Sequence, residues 1–195
     1  ESMLKDIVEE VKEKGLAQKS RGALVVEFPN DALPPAILLK SDEASNYFTR
    51  DLATIKYRLK RWKPDLVVYE VGLEQSLHLQ QVFWTAELLG WAKRERFVHV
   101  GHGLYRGKEG KFSTRKGQTI HLEEVLENAI VRAKEIIEKS ETTRGFSTKE
   151  KDKVAKTVGI GGVKYNDLMQ HPSGDIMFDW EKILNLKGNS APYLQ

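Results

Sequence analysis

The sequence predicts an α/β protein that continues into a mostly helical region, and three observations carry that reading. Helical and strand-like segments alternate between residues 46 and 101. The most strand-like of them, residues 65–71, is almost continuously apolar and rich in β-formers. Beyond residue 118 long helical patterns take over. We expect a sheet-containing region at 1–118 and a helical region at 119–195.

Residues 2–14 read as a charged surface helix, with Met3, Ile7, Val8 and Val11 on one side and Gly15 as its stop. Residues 23–28 and 36–40 are short apolar runs read as strands. Between them, Pro29-Asn30-Asp31 and Pro34-Pro35 predict a loop that cannot be helical. Residues 46–62 form the clearest helix. Phe48, Leu52, Ile55, Leu59 and Trp62 recur at intervals of four, three, four and three residues, and Lys and Arg fill the other face. Pro64 ends it. Residues 65–71 have the composition of a strand buried on both faces, as in a parallel sheet. Gly72 breaks that strand, residues 74–89 form a second helix closed by Gly90, and residues 97–101 make another strand.

From Gly103 the texture changes. Leu104-Tyr105-Arg106 and Lys111-Phe112-Ser113 flank Gly107-Lys108-Glu109-Gly110 as a hairpin. A short strand at 119–121 leads into a helix over 122–140. Ser147-Thr148-Lys149-Glu150 has capping-box spacing, so a helix runs from there to Gly159. Residues 160–170 read as a further helical stretch, 175–179 as a short strand and 180–186 as a last helical turn.

The chain has 195 residues, 40% hydrophobic and 30% charged, enough for a real core and ordinary for a soluble globular protein. A net charge of +3 does not announce a nucleic-acid binder, so any RNA surface must come from local patches. The absence of cysteine excludes disulfides and thiolate metal sites and fits a reducing compartment. No apolar run approaches the roughly 20 residues that span a bilayer, and the acidic, amphipathic start is not a signal peptide. A cytoplasmic protein without membrane contact is expected. The chain opens inside a helical pattern and stops at Pro192-Tyr193-Leu194-Gln195, where a proline could begin another helix, so it reads as part of a longer protein.

Three features could carry chemistry. Tyr47 and Asp51 stand four residues apart on one helix face, beside the apolar stripe. A ring next to a carboxylate suits a guanidinium, through stacking and a bidentate ion pair; the plainer reading is an acidic residue near a helix start. Next, Gly72-Leu73-Glu74-Gln75-Ser76-Leu77-His78 directly follows the best strand, where ligands of open α/β sheets sit. Glu74, Gln75 and His78 put polar groups where a ribose or amino acid would lie, although a simple glycine turn explains the segment as well. Last, the glycine-flanked stretch 107–117 gathers Lys108, Lys111, Arg115 and Lys116 with Ser113 and Thr114. Mobile cations there suit a leaving pyrophosphate, against the plainer reading of a solvated hairpin tip. It lacks the spacing of a P-loop.

Together these blocks resemble an arginyl-tRNA synthetase. Leu39-Lys40-Ser41-Asp42 with Tyr47-Phe48-Thr49-Arg50-Asp51 is similar to one block of that family. Glu74-Gln75-Ser76-Leu77-His78 is similar to its form of the Gly-x-Asp-Gln-x-x-His element, with Glu74 in place of Asp. Residues 111–117 resemble its version of the Lys-Met-Ser-Lys-Ser loop, with Thr114 where the general loop has a second lysine. Val163-Lys164-Tyr165-Asn166-Asp167-Leu168, Phe178-Asp179-Trp180 and the segment from Leu186 resemble the helical connection toward an anticodon-binding domain.

The resemblance implies half of a Rossmann-like class I catalytic domain followed by a stem-contact region. It implies L-arginine, ATP with Mg²⁺ and tRNA(Arg) as partners, no tightly bound protein-ligated metal, and a full-length protein that is monomeric. Tyr47, Asp51 and Gln75 would line the arginine pocket, and Gly72, Glu74 and His78 would sit near the adenylate ribose. His102, Gly103 and Leu104 would meet adenine. Lys111, Phe112, Ser113 and Lys116 would close on the phosphates, with Lys111, Ser113 and Lys116 in the catalytic role. Arginine activation would need bound tRNA. His99-Val100-Gly101-His102 spells the phosphate-binding His-x-Gly-His element of class I enzymes, but it starts inside a strand and His99 reads as an ordinary strand residue. The genuine element is expected in an N-terminal half outside this chain, which alone would be inactive. Arg132, Lys134, Lys139, Arg144, Lys149, Lys151 and Lys153 could track phosphates at the inner bend of the tRNA; the plainer reading for most of them is a solvated helical face. Two other readings compete: a different class I synthetase, against which Tyr47 and Asp51 speak, and a non-catalytic RNA-binding module, which has no need of the 111–117 loop.

Overall fold

The structure is a computed structural model that describes residues 2–107, 110–111, 121–185 and 190–194. They fall into two units, Glu1–Gly101 and His102–Gln195, each with its own apolar core. The first mixes strands and helices and the second is mainly helical, an α/β chain.

In the first unit, α1 (Ser2–Glu13) buries Ile7, Val8 and Val11 against α2 (Tyr47–Trp62). Gly15, at φ +69°, turns the chain back, and three antiparallel strands follow: β1 (Ala17–Ser20), β2 (Ala23–Val26) and β3 (Ala36–Leu39), in that order. The polar, exposed β1 has no apolar alternation and is absent from the sequence-based expectation. Its signal is Arg21-Gly22, a two-residue turn with φ of 49° and 82°, the positive values that a tight hairpin requires. Between β2 and β3 the expected helix-free loop contains a 3-10 turn at Pro29–Asp31. Proline's missing N–H is harmless at the first position of a turn, and Asn30 tolerates its left-handed φ of 56°.

The start of α2 is tied to β3. Asn46 caps the helix by accepting from Thr49 N and also donates to Ile37 O at 2.7 Å, while the buried Thr49 hydroxyl donates to Leu38 O. The helix ends on Lys63 in the left-handed region, one residue before Pro64.

β4 (Val67–Gly72) and β5 (Phe97–His102) pair with each other and are connected through α3 (Ser76–Leu88). The expectation that this strand is buried on both faces fails within the described residues. Val67, Tyr69 and Val71 face the core, where Tyr69 packs tilted on Phe83 at 5.2 Å and Phe83 stacks on Phe97 at 5.1 Å, while Val68 is 54% exposed and Glu70 is exposed. A continuous apolar run permits two-sided burial; only a second layer enforces it.

In the second unit β6 (Tyr105–Gly107) pairs antiparallel with β7 (Gly110–Lys111) and parallel with β8 (Ile176–Met177). Two helices, α4 (Leu122–Lys139) and α5 (Thr148–Leu168), pack through Ala133, Ile137 and Ala155. The capping box at Ser147 and Glu150 forms as expected. However, α5 continues for 21 residues through its glycines instead of stopping at Gly159. Each glycine costs a helix about 1 kcal/mol relative to alanine. Gly159 is there for contact: a Cβ on it would lie 2.7 Å from Ala129 O of α4. Two short helices, α6 (Trp180–Ile183) and α7 (Ala191–Leu194), end the unit. The expected strand at 119–121 lies, apart from His121, outside the described residues.

Candidate functional site

The first turns of α2 project Tyr47 and Asp51 from one face. Tyr47 is 80% exposed and Asp51 is half-buried one turn later. Since Asn46 and Thr49 anchor this helix end to β3, both side chains stand on a fixed base. Facing Asp51 from α3 is His78, whose Nε2 lies 2.6 Å from Asp51 Oδ2. The imidazole and the buried ring of Phe48 also form a T-shaped pair, with centroids 6.4 Å apart at 76°. Asp51 and His78 were assigned by sequence to two different ligand groups; the fold joins them.

β4 ends at Gly72, and a 3-10 turn at Leu73–Gln75 leads into α3, so the expected break of the strand at Gly72 is present. Gly72 has an ordinary φ of −56°, so its value is closeness rather than conformational freedom. The Glu74 carboxylate folds back over it, and a Cβ would lie 2.3 Å from Oε2. Glu74 and Gln75 are exposed. The turn is braced from β5: His99 Nε2 donates to Val71 O at 3.1 Å, and its Nδ1 lies 3.4 Å from the Ser76 hydroxyl, which donates to Leu73 O. The sequence reading of His99 as an ordinary strand residue missed this bracing, which only the pairing of β4 with β5 creates.

In the second unit the stretch His102-Gly103-Leu104 is fastened to the segment before β8. Gly103 N–H donates to Pro172 O at 2.9 Å, Leu104 N–H donates to Asp175 at 2.8 Å, and Leu104 O accepts from Ile176. A Cβ on Gly103 would lie 2.1 Å from Gly174 O, so any side chain there must displace backbone. Asp175 also receives Arg106. Tyr105 donates to Asp167 at 2.7 Å; burial, reinforced by that carboxylate, pushes its phenol well above the usual tyrosine range. Sequence reasoning did not single out Asp167 and Asp175: the parallel pairing of β6 with β8 brings Asp175 to residues 104–106, and the end of α5 brings Asp167 to Tyr105.

Of the residues expected to close on phosphates, Lys111 enters as a strand residue of β7, and Phe112, Ser113 and Lys116 lie outside the described residues, as do Lys108, Thr114 and Arg115. Three of the basic residues proposed for RNA are already engaged: Lys134 pairs with Asp152 at 2.6 Å, Arg144 with Glu141 at 3.0 Å, and Arg132 sits 5.2 Å over the Trp180 ring. Lys139, Lys149 and Lys153 are exposed. Among the described residues no group of three or more His, Cys, Asp or Glu side chains could hold a metal ion, and no helix is long and apolar enough to cross a membrane. A groove of about 630 Å³, lined by Met3, Ile7, Tyr57 and Lys60, lies at the far end of α2 and contains none of the expected site residues.

Comparison with known proteins matches residues 1–180 to the family described as class I tRNA synthetases (R), catalytic domain. An arginine–tRNA ligase of Clostridium acetobutylicum is 43% identical over 189 residues, covering 97% of this chain and 33% of the relative. One from Chloroflexus aurantiacus is 39% identical over 197 residues, covering 100% of the chain and 34% of the relative. The chain thus spans about a third of the length of the curated relatives it matches. Among solved structures, the arginyl-tRNA synthetase of Thermus thermophilus superposes with a TM-score of 0.82 at 19% identity, over 99% of this chain and 38% of that one. The Plasmodium falciparum enzyme gives 0.80 at 24% identity, over 99% and 32%.

Proposed function

The chain belongs to the family of class I arginyl-tRNA synthetases, and we propose that it supplies the arginine receptor and part of the ATP site of an arginine–tRNA ligase. The observation that carries this reading is the Tyr47–Asp51 pair, an exposed ring and a carboxylate one helical turn apart on a pinned helix end, with Asp51 facing His78 of α3. Asp51 would take the guanidinium as a charge-assisted pair, Tyr47 would cover it, and Gln75 would complete the pocket.

The reaction proposed for the whole protein is attack of the arginine carboxylate on the α-phosphate of ATP, with pyrophosphate leaving. A hydroxyl of the terminal tRNA ribose then attacks the activated carbonyl and AMP departs. No covalent enzyme intermediate is needed, so positioning and charge stabilisation supply the rate. Gly72 and Glu74 would face the ribose. The N–H groups of Gly103 and Leu104 are committed internally, which leaves this stretch with carbonyl lone pairs for the adenine amino group. Lys111, Phe112, Ser113 and Lys116 would follow the phosphates, whose charge Mg²⁺ screens as part of the ATP substrate.

In this reading the first unit belongs to a Rossmann-like catalytic domain, and the second reaches the inner bend of the tRNA, with Lys139, Lys149, Lys151 and Lys153 as its phosphate contacts. The whole protein would act as a monomer in the cytoplasm, and arginine activation would require bound tRNA. Residues 1–195 alone would not charge tRNA. The test is aminoacylation of unfractionated tRNA by the full-length protein with single amino acids. Arginine alone should be incorporated; incorporation of another amino acid, or activity of the isolated chain, would overturn the corresponding part.

A further inference from the structure

We propose that His78 is a positioning residue of the arginine receptor, holding Asp51 in place, and does not contact the nucleotide. This rests on the reading of Asp51 as the guanidinium partner. It departs from the sequence-based assignment of His78 to the adenylate ribose, and the reason is geometric.

The His78 Nε2 to Asp51 Oδ2 distance is 2.6 Å. An aspartate carboxylate offers only acceptors, so Nε2 carries the hydrogen and donates it, a short charge-assisted bond. The ring is set before any ligand arrives. Phe48, 4% exposed and anchored in the core, presents its face or edge to the imidazole at 76°. The neighbouring residues Leu52 and Leu79 are 0% and 3% exposed, so both helices present these side chains from packed backbones. A carboxylate that is 39% exposed would otherwise sample several rotamers. The imidazole fixes Oδ2 and thereby the plane of the group, so that a planar guanidinium meets an acceptor already oriented for it.

The two assignments make different kinetic predictions. A ribose contact acts through ATP, whereas a residue that orients Asp51 acts through arginine. The full-length protein carrying His78→Ala is expected to show a KM for arginine raised about tenfold, with KM for ATP within twofold of the parent. His78→Gln can place an amide N–H close to the position of Nε2 and should recover most of the loss. Combined with Asp51→Asn, His78→Ala should add little, because its target is already gone.

A rise in KM for ATP, or a fall in kcat with KM for arginine unchanged, would return His78 to the nucleotide and overturn the proposal while leaving the Asp51 receptor intact. An Asp51→Asn variant with an unaltered KM for arginine would remove the receptor itself, and this role of His78 with it. The glutamine variant, retaining a hydrogen-bond donor of similar reach, separates positioning from folding: equal loss in His78→Ala and His78→Gln would also count against the proposal.

Discussion

Trp91 donates its indole N–H to Glu10 at 2.8 Å, and the other carboxylate oxygen of Glu10 takes Lys56, so α1, α2 and the segment after α3 meet at one side chain. The contact closes the first unit on the side formed by its first helix.

Burial raises the Glu10 pKa, but hydrogen bonds from Lys56 and Trp91, with the charges of Lys56 and Lys14, outweigh it and leave the carboxyl below its usual value. A depressed folded pKa adds stability that is present above the unfolded value of about 4.3 and is lost as pH falls through the folded one. Glu10→Gln should therefore cost roughly 0.5–1 kcal/mol at neutral pH. The difference from the parent should shrink below about pH 4 in urea unfolding. A gap independent of pH would show that the charge contributes nothing.

Gly72 and Gly103 both have short distances to a built Cβ, but with different partners. At Gly103 the obstacle is backbone, Gly174 O at 2.1 Å; at Gly72 it is the end of the flexible Glu74 side chain at 2.3 Å. Gly103→Ala should destabilise the protein by about 1–3 kcal/mol or more, and Gly72→Ala by less than about 1 kcal/mol. Thermal unfolding of the two variants checks this contrast, and equal losses would contradict it.

Gly159→Ala sets two effects against each other. Helix propensity favours alanine by about 1 kcal/mol, whereas the 2.7 Å approach to Ala129 O forces α4 and α5 apart at a cost of about 1–3 kcal/mol. Overpacking against backbone should win, giving a lower melting temperature. A stabilised variant would mean that the helices separate freely.

Much of the architecture is legible in local sequence, because periodicity and caps are local. The apolar stripe of α2 and the Ser147-Glu150 box both precede any tertiary information. What fails depends on pairing and packing that a segment's own apolar pattern does not record. The polar strand β1 is specified by its Arg21-Gly22 turn and its pairing with β2, and α5 runs past Gly159 because α4 needs that close approach. The one-sided cover of β4 cannot be read from its own six residues. The site divides in the same way. Helical spacing alone puts Tyr47 and Asp51 on one face, but the partnership of Asp51 with His78 arises only when α2 packs on α3. The attachment of Gly103 and Leu104 to Pro172 and Asp175 likewise spans about seventy residues of sequence.

The most direct test of the arginine receptor is equilibrium binding of arginine and of ATP to the full-length protein, with tRNA present, for the parent and for Asp51→Ala. Loss of a charge-assisted pair to a guanidinium should weaken arginine by about a hundredfold or more and leave ATP affinity unchanged. Arginine binding by Asp51→Ala as tight as that of the parent would contradict the account and reduce the Tyr47–Asp51 pair to an ordinary helix start.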